Sequence, residues 1–330
     1  MSKILVTGGA GFIGSHTCRK LMDAGEEVIV YDYFHQYIFP IEPTFIENTN
    51  YRYDVLLKGS DIIRGSTYNK DELRRHITSV KPDYIIHLAA MPLANVALFR
   101  TEEALNSIVL GTVNMLEILR DMNGVQKFVY ISSSMVYGDF NRTPMPEDGD
   151  KNPKDIYGGM KLAGEILVQV YSKRYNIPYT IVRPSAVYGP TDNNRRVLQI
   201  FIENAIQGKP IVVTNPDITF LDFTFVEDVA QGLMKVTLSP NVANEVFNIT
   251  RGQGRSLKEA VDVLKSFFPD LEVQVKKETE SYRPARGELD ISKARKLVNY
   301  EPKYSLEQGL EKQIDFIKAH NSSFFRRSQS

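Results

Sequence analysis

The sequence has one cysteine, no excess of either charge and no long apolar run. The single Cys18 among 330 residues excludes an internal disulfide, and it favours a reducing compartment. Forty basic residues balance forty acidic ones, so no overall field favours nucleic acid. No apolar run approaches the about 20 residues that cross a bilayer, and Met1 to Lys3 leads into a strand without a signal-peptide segment. We therefore expect a cytoplasmic protein without a nucleic-acid or membrane partner, and we predict no metal site.

Apolar segments of strand length alternate with helix-period segments through the first half of the chain. Strands are predicted at Lys3–Thr7, Glu27–Tyr31, Tyr84–Leu88, Lys127–Ser132 and Tyr179–Arg183. Helices are predicted at Ile13–Ala24, Asp71–Val80, Thr101–Met122 and Ile156–Tyr175. Strands that alternate with helices are typical of a parallel sheet covered on both faces. The first half of the chain is therefore predicted to be an α/β domain.

After Pro184 the alternation loosens, and turn residues become more frequent. A strand is predicted at Pro210–Thr214, and helices at Val197–Gln207, Val226–Val236, Leu257–Phe268 and Ser292–Val298. This pattern predicts a smaller, mixed α/β C-terminal lobe carried on the sheet. We assign residues 1–183, with 222–248 returning to them, to the sheet domain. Residues 184–221 and 249–320 form the predicted lobe, and 321–330 are predicted to be a flexible tail.

A glycine-rich turn, TGGAGFIG, follows the first predicted strand and opens the first helix. Gly8, Gly11 and Gly14 allow the backbone to turn sharply and to approach a pyrophosphate. The amides at the helix start, at Phe12 and Ile13, would meet the phosphate charge. Because strand, turn and helix occur in the required order, this segment predicts a dinucleotide site in a Rossmann-type doubly wound sheet.

The second predicted strand ends next to Asp32, about 20 residues beyond the glycine turn. A carboxylate at this position accepts hydrogen bonds from the adenosine ribose and repels a 2′-phosphate. No arginine or lysine follows Asp32 closely. The sequence therefore predicts NAD as the cofactor rather than NADP.

A serine cluster, Ser132–Ser134, follows the fourth strand of the predicted series, and Tyr157 and Lys161 open a helix downstream. Residues four apart lie on one face of a helix. A lysine there, beside a cationic nicotinamide, would favour tyrosinate and lower the pKa of Tyr157 toward working pH. Together with the glycine turn, the Tyr–Lys pair predicts proton transfer coupled to hydride transfer.

With these motifs, the chain resembles an extended short-chain dehydrogenase/reductase of the NAD-dependent epimerase/dehydratase family. The resemblance spans about the whole length. Beyond the glycine turn, the serine cluster, Tyr157 and Lys161, the segments that carry it are His87–Ala90, Asn106, Gly111–Thr112, Asn114, Arg183–Pro190, Leu221–Asp228 and Arg283–Leu310.

The resemblance implies a role for each matched residue. Ser133 would supply the catalytic hydroxyl, Tyr157 the base, and Lys161 the group that fixes the nicotinamide ribose. Further cofactor contacts are implied at Ser66, Thr67, Leu88, Ala89, Ala90, Asn106, Ser132 and Pro184, and further substrate contacts at Pro92, Ser134 and Ala186. The family also implies a homodimer formed through helices Thr101–Met122 and Ile156–Tyr175, and a setting in surface-polysaccharide synthesis.

The residues after Ser133 discriminate between branches of this family. Nucleotide-sugar 4,6-dehydratases place Asp and Glu where this chain has Ser134 and Met135, and decarboxylating relatives keep a Glu at the second position. Methionine cannot transfer protons, so 4,6-dehydration and decarboxylation stay only as less favoured alternatives. The expected reaction is 4-epimerisation of a nucleotide sugar through a 4-keto intermediate. A 4-dehydrogenase or 4-ketoreductase shares the half-reaction and stays open as an alternative. A non-catalytic NAD-binding sensor is a remoter alternative, because it would not need Ser133, Tyr157 and Lys161 together.

Two departures from the family limit the finer assignment: the first concerns how the adenine of NAD is held, and the second leaves the nucleotide of the sugar undefined. Gly65–Thr67 stands where relatives have an adenine-contacting aspartate, and 34–60 is longer than expected. UDP-sugar epimerases usually carry an asparagine at the position of Ala186 and an arginine at that of Leu221. Arginine suits bidentate binding of a diphosphate, so Arg283, with Arg286 or Arg195, is the predicted diphosphate contact.

Overall fold

The computed structural model describes residues 1–39, 43–278 and 284–323 of the chain. The strands are β1 (Lys3–Thr7), β2 (Glu27–Asp32), β3 (Asp61–Arg64), β4 (Tyr84–His87), β5 (Lys127–Ile131), β6 (Tyr179–Arg183), β7 (Val187–Tyr188), β8 (Ile211–Thr214), β9 (Phe220–Asp222), β10 (Thr224–Phe225), β11 (Glu245–Asn248), β12 (Gly254–Ser256) and β13 (Val273–Lys276). The α-helices are α1 (Phe12–Asp23), α2 (Pro43–Tyr51), α3 (Lys70–Val80), α4 (Ala94–Phe99), α5 (Thr101–Leu105), α6 (Gly111–Arg120), α7 (Ile156–Tyr175), α8 (Val197–Ile206), α9 (Val226–Leu238), α10 (Leu257–Phe267), α11 (Ser292–Val298) and α12 (Leu306–His320).

Seven strands form one sheet in the order β11-β6-β5-β4-β1-β2-β3, and every neighbouring pair is parallel. The strand order changes direction between β1 and β4, so the helices that follow these two strands lie on opposite faces of the sheet. In doubly wound sheets such a point leaves a crevice for a ligand. The predicted α/β fold class, a Rossmann-type doubly wound parallel sheet, is confirmed.

Alternate residues of the central strands enter two hydrophobic layers. On one face, Val6 and its neighbours pack with α1, α9 and α11, and Cys18 is fully buried among them. On the other face, Leu5 and its neighbours pack with α3, α6 and α7. The central parallel strands are covered on both faces, which explains why their sequences are nearly continuous runs of apolar residues.

The remaining strands pair two by two, as β7–β10, β8–β13 and β9–β12. Around β8–β13, helices α8, α10 and α12 contribute Phe201, Leu264 and Leu310 to a second hydrophobic core. This is the mixed α/β structure that the sequence predicts for the C-terminal part of the chain. The exact division into two domains stays a prediction. Within the described ranges, no helix has both the length and the apolar character needed to span a bilayer.

Two differences from the predicted elements bear on the site. The helix predicted at Thr101–Met122 is interrupted by a π-helical turn, Asn106–Leu110, and the helical segment ends at Arg120. A second π-helical turn, Arg52–Leu56, extends α2 in a segment for which no structure is predicted. Such turns are rare and are frequent at functional sites. Both lie next to the cleft that is described below.

Candidate active site

The glycine turn is packed so closely that side chains are excluded from it. Gly8 has φ +71°, and a Cβ built on it would lie 2.7 Å from the backbone nitrogen of Ala89. A Cβ on Gly14 would collide with the carbonyl oxygen of Gly8. The glycines therefore allow the loops after β1 and β4 to meet, and they keep the backbone at the start of α1 accessible.

Asp32 at the end of β2 braces this turn. Its carboxylate accepts hydrogen bonds from the Ala10 amide at 2.9 Å and from the Phe34 amide at 2.7 Å. Burial raises the pKa of Asp32, and the hydrogen bonds from Phe34 and Ala10 act in the opposite direction. Asp32 also lines the cleft, as its predicted contact with a ribose requires.

A cleft of about 960 Å³ lies over the C-terminal ends of β1, β2 and β4. The predicted site residues that line it are Gly8, Gly11, Phe12, Ile13, Gly14, Asp32, Ser66, Thr67, Leu88, Ala89, Ala90, Pro92 and Asn106. The volume lies in the range of pockets that enclose drug-sized ligands and cofactors. The structure thus brings most of the predicted cofactor residues together around one opening, whereas Ser132, Tyr157, Lys161 and Pro184 are not among the residues that line it. The individual contacts with a cofactor stay predictions.

Tyr157 and Lys161 lie on the first turns of α7, which begins after the N-cap residue Asp155. The Lys161 Nζ donates a hydrogen bond to the Ile131 carbonyl oxygen at 2.8 Å and lies 5.9 Å from the centre of the Tyr157 ring. The end of β5 therefore anchors the lysine. Ser133 caps a 3-10 turn at Ser134–Tyr137 by accepting a hydrogen bond from the Met135 amide at 3.2 Å.

The predicted lowering of the Tyr157 pKa by Lys161 beside a cationic nicotinamide stays a prediction, and in the protein alone burial acts in the opposite direction. Burial raises the pKa of Tyr157, and the opposing influences are the charge of Arg196 and the Ser133 hydroxyl. Burial also lowers the pKa of Lys161 to about 7, against the charge of Glu165. A lysine near neutrality is only partly charged, which is why its spacing from the tyrosine alone does not fix the tyrosine pKa.

Three buried hydroxyls surround Ser133. Ser132, Ser134 and Ser185 lie at the C-terminal ends of β5 and β6, and their Oγ atoms have no hydrogen-bond partner among the described residues. Buried hydroxyls are normally paired, so each of these three keeps an unused hydrogen-bonding capacity near Ser133.

A buried ion pair fixes the elements behind these hydroxyls. Arg183 at the end of β6 donates to both carboxylate oxygens of Glu165 on α7, at 2.8 and 2.6 Å. The same guanidinium donates to the Tyr137 hydroxyl at 2.8 Å. Bidentate pairs of this kind are directional as well as strong. They set the position of α7 relative to the serine turn.

The other residues that were predicted to contact the substrate do not lie together in one cluster. Ala186 has φ +38° and packs against the second core, and the Pro184 carbonyl oxygen accepts from the Ser134 amide at 3.0 Å. Arg195 lines a small neighbouring cavity, where it forms an ion pair with Glu203 at 3.5 Å. Arg283 lies outside the described residues. In the part of the chain that is described, no group of His, Cys, Asp and Glu side chains is arranged to hold a metal ion.

Sequence reasoning missed three arginines of the cleft, Arg52, Arg100 and Arg196. Arg196 precedes α8, stands 5.9 Å from the Phe12 ring and forms an ion pair with Asp192 at 3.2 Å. The neighbouring Arg195 was the predicted contact, and the N-terminus of α8 was the available signal. Arg52 comes from the long segment after β2, for which the sequence carries no local signal of a site.

A parallel sheet with a glycine turn opening onto a cofactor-sized cleft, and a Tyr–Lys pair beside it, defines a dinucleotide-dependent enzyme. Residues 4–250 match the NAD dependent epimerase/dehydratase family, and the chain belongs to that family. Its cofactor is NAD, which fits the side-chain-free glycine turn, the cleft-lining Asp32 and the unpaired serine hydroxyls.

Similar proteins cover nearly the whole chain. YtcB of Bacillus subtilis, named as an uncharacterized UDP-glucose epimerase, is 31% identical over 321 residues, which are 96% of this chain and 98% of that protein. The UDP-glucuronate 4-epimerase of Thermodesulfobacterium geofontis is 28% identical and covers 96% of this chain and 97% of its own. The structure of UDP-glucuronic acid 4-epimerase from Bacillus cereus, in complex with UDP-glucuronic acid and NAD, is 30% identical with a TM-score of 0.85, and covers 96% of this chain and 99% of that chain.

Proposed function

We propose that the protein is a nucleotide-sugar 4-epimerase. The observation that carries this proposal is the composition of the site: Ser133 and Tyr157 lie together, and no carboxylate accompanies them at Ser134 or Met135. Dehydration and decarboxylation need such an additional group. Oxidation at C4 and return of the hydride need only a tyrosine base and a donor to the oxygen. The names of full-length relatives support the same reaction.

When bound, NAD supplies the hydride acceptor and donor at C4 of the sugar. Tyr157 takes the proton of the C4 hydroxyl, and it returns a proton once the 4-keto sugar has presented its other face. The Ser133 hydroxyl donates a hydrogen bond to the oxygen at C4 as its charge develops. Lys161, held by the Ile131 carbonyl oxygen, fixes the nicotinamide ribose beside Tyr157. The Arg196 charge favours the tyrosinate form of Tyr157.

The proposed substrate is a UDP-hexose or UDP-hexuronic acid, because these are the substrates named for the relatives. Arg196, at the cleft, is the proposed contact for the diphosphate in place of an arginine at Leu221. Arg195 and Arg283 stay in this role as predictions. The single cysteine and the absence of a disulfide support a cytoplasmic location.

The test is a proton NMR time course in D₂O with a panel of UDP-, GDP-, CDP- and dTDP-sugars. We expect a new C4 epimer without deuterium in the sugar, because the hydride returns internally. Tyr157→Phe is expected to lower kcat by about 10² to 10⁴, the usual contribution of a general base. Tyr171→Phe, a change on the same helix away from the cleft, is the matched control and is expected to keep full activity. A keto product with stoichiometric NADH would instead indicate a 4-dehydrogenase, and deuterium at C5 or C3 would contradict the proposal.

We further infer that two copies associate through α7 and the α5–α6 segment beside it. Apolar side chains project from this face into solvent: Leu105 and Leu110 are 46% and 41% exposed, and Ile166 and Val170 are 52% and 57% exposed. Ile166 and Val170 are four residues apart, so they share one face of α7. Exposed apolar side chains on helical segments that contact one another support a protein interface.

A further inference from the structure

The long segment after β2 contains a feature that links the two sides of the cleft. We call α2 and its π-helical turn, residues 43–56, the strut, and we call residues 190–196 the substrate-side loop. The strut leaves the cofactor side after β2, and it contacts the substrate-side loop before the chain returns to β3. We propose that Arg52 of the strut is a positioning residue that holds the substrate-side loop, with Arg196, in place to bind the nucleotide sugar. This inference rests on the proposed function.

Arg52 joins the two sides directly. Its Nη2 donates to the Thr191 carbonyl oxygen of the substrate-side loop, and its Nη1 donates to the Ala10 carbonyl oxygen of the glycine turn at 3.4 Å. The side chain is only 7% exposed, and burial lowers the pKa of Arg52 to about 10, so the guanidinium stays charged at neutral pH. Two carbonyls from distant parts of the chain are thus bridged by one planar cation, a geometry to which arginine is suited.

The substrate-side loop is strained and needs such support. Thr191 has φ +70° and Arg195 has φ +48°, values that disfavour residues other than glycine. Conformations of this kind cost on the order of 1–3 kcal/mol each and persist only where the surroundings hold them. The loop therefore would not keep its shape by local preference alone.

Other contacts from the cofactor side hold the same loop. Asn48 of the strut donates to the Asn193 side-chain oxygen at 2.8 Å, and Asn193 donates to the Phe45 carbonyl oxygen at 3.2 Å. The His16 Nε2 of α1 lies 3.1 Å from the Pro190 carbonyl oxygen. Burial lowers the pKa of His16 to about 4, so the neutral ring donates this bond at physiological pH. The loop is consequently held from the cofactor-binding side as well as by its ion pair with Glu203 of α8.

What the loop carries gives the arrangement its functional consequence. Arg196 at its end lines the cleft and is braced by Asp192 of the same loop at 3.2 Å. The positive charge of Arg196 also lowers the pKa of Tyr157, and among the effects that oppose burial it is the largest. If Arg52 is removed, the loop loses its bridge to the glycine turn, and Arg196 loses its fixed position. Binding of an anionic nucleotide sugar should weaken more than the chemical step does.

The test compares Arg52→Met and Arg52→Lys with the wild-type holoenzyme. Arg52→Met is expected to raise KM for the nucleotide sugar about tenfold, the loss of roughly one charge-assisted hydrogen bond, with kcat within about threefold and bound NAD unchanged. Arg52→Lys is expected to recover part of the loss, because an ammonium donates to a carbonyl without bridging both. Arg74→Met, at a partly exposed arginine paired with Asp121 at 3.0 Å, is the matched control and should leave KM unchanged.

Arg52 lines the same cleft as the cofactor residues, so a direct cofactor role is the competing explanation. Loss of bound NAD in proportion to activity, or an unchanged KM in Arg52→Met, would overturn the proposal. Hydrogen exchange of peptides from the substrate-side loop gives a readout that needs no turnover. We expect faster exchange of these peptides in Arg52→Met and an unchanged rate in Arg74→Met. This result would support the positioning role of Arg52 even if the wild type epimerises no nucleotide sugar, because that failure would contradict only the proposed function. Equal exchange rates in the wild type and both variants would overturn the positioning role.

Discussion

At the scale of single residues, burial controls the charge of Lys161. Its side chain is 4% exposed, and desolvation lowers its pKa to about 7, whereas lysine in an unfolded chain has a pKa of about 10.4. Between these values the unfolded state binds more protons, so this group makes stability rise with pH. We expect the free energy of unfolding of the wild type, relative to Lys161→Met, to increase from pH 7 to pH 9. Urea denaturation of the protein without added NAD measures this difference.

The comparison with Lys161→Met removes contributions that both proteins share. Burial also lowers the pKa of Lys127 to about 8, and its effect on stability has the same sign, but it is present in both proteins. A difference in free energy that stays constant or falls between pH 7 and pH 9 would show that Lys161 remains charged in the folded protein. Lys161 would then be able to lower the Tyr157 pKa, as its spacing in the sequence predicts.

At the scale of elements, Asp155 has two effects at the start of α7: its side chain caps the helix, and its negative charge acts on Tyr157. Asp155 Oδ1 accepts a hydrogen bond from the Gly158 amide at 2.6 Å, and the Asp155 charge adds to burial in raising the pKa of Tyr157. Asp155→Asn keeps the cap and removes the charge, so the rise of kcat/KM with pH should move to lower pH. Asp155→Ala should move the profile in the same direction and also lower stability by about 1 kcal/mol. pH–rate profiles and thermal unfolding measure the two effects, and an unmoved profile in Asp155→Asn would contradict the electrostatic part.

Local signals account for the elements that the sequence predicts well. β1, α1 and α7 combine apolar periodicity with a glycine turn or a capping residue, and their predicted bounds agree with the structure within one residue. β3 escapes prediction because it is an edge strand whose residues are mostly exposed. The helix α12 also escaped, although Ser305 and Gln308 form a capping box at its start that was available in the sequence.

The glycine turn, Asp32 and Leu88–Ala90, which line the cleft, were predictable for the same reason, since they occur in short motifs. The contacts of Arg52 were not, because its partners Ala10 and Thr191 lie 42 and 139 residues away in sequence. The raised pKa of Tyr157 in the protein alone could not be predicted from the sequence, because spacing on a helix indicates proximity to Lys161 but not the burial of both groups. Sequence patterns thus indicate which residues share an element, whereas desolvation and long-range bridges emerge only from the packed molecule.

At the scale of the whole molecule, the proposed interface lies on the helix that carries the proton-transfer residues. α7 presents Tyr157 and Lys161 at its first turns, and Ile166 and Val170 project into solvent further along. Burying this face in a second copy would remove two large apolar side chains per chain from water, about 1.5–3 kcal/mol each. It would also restrain α7 from the side opposite the sheet, so association and the geometry of the site should be coupled.

We expect the wild type to behave as a dimer of two 37.5 kDa chains in light scattering, and Ile166→Lys/Val170→Lys to behave as a monomer. Val275→Lys is the matched control, because Val275 is as exposed as Val170, at 57%, but lies on β13 of the second lobe. It should leave the mass unchanged. If the double variant keeps the dimer mass, the interface lies elsewhere. If it is monomeric and also loses activity while retaining NAD, the second copy is needed to hold α7, and with it Tyr157, against the serine turn.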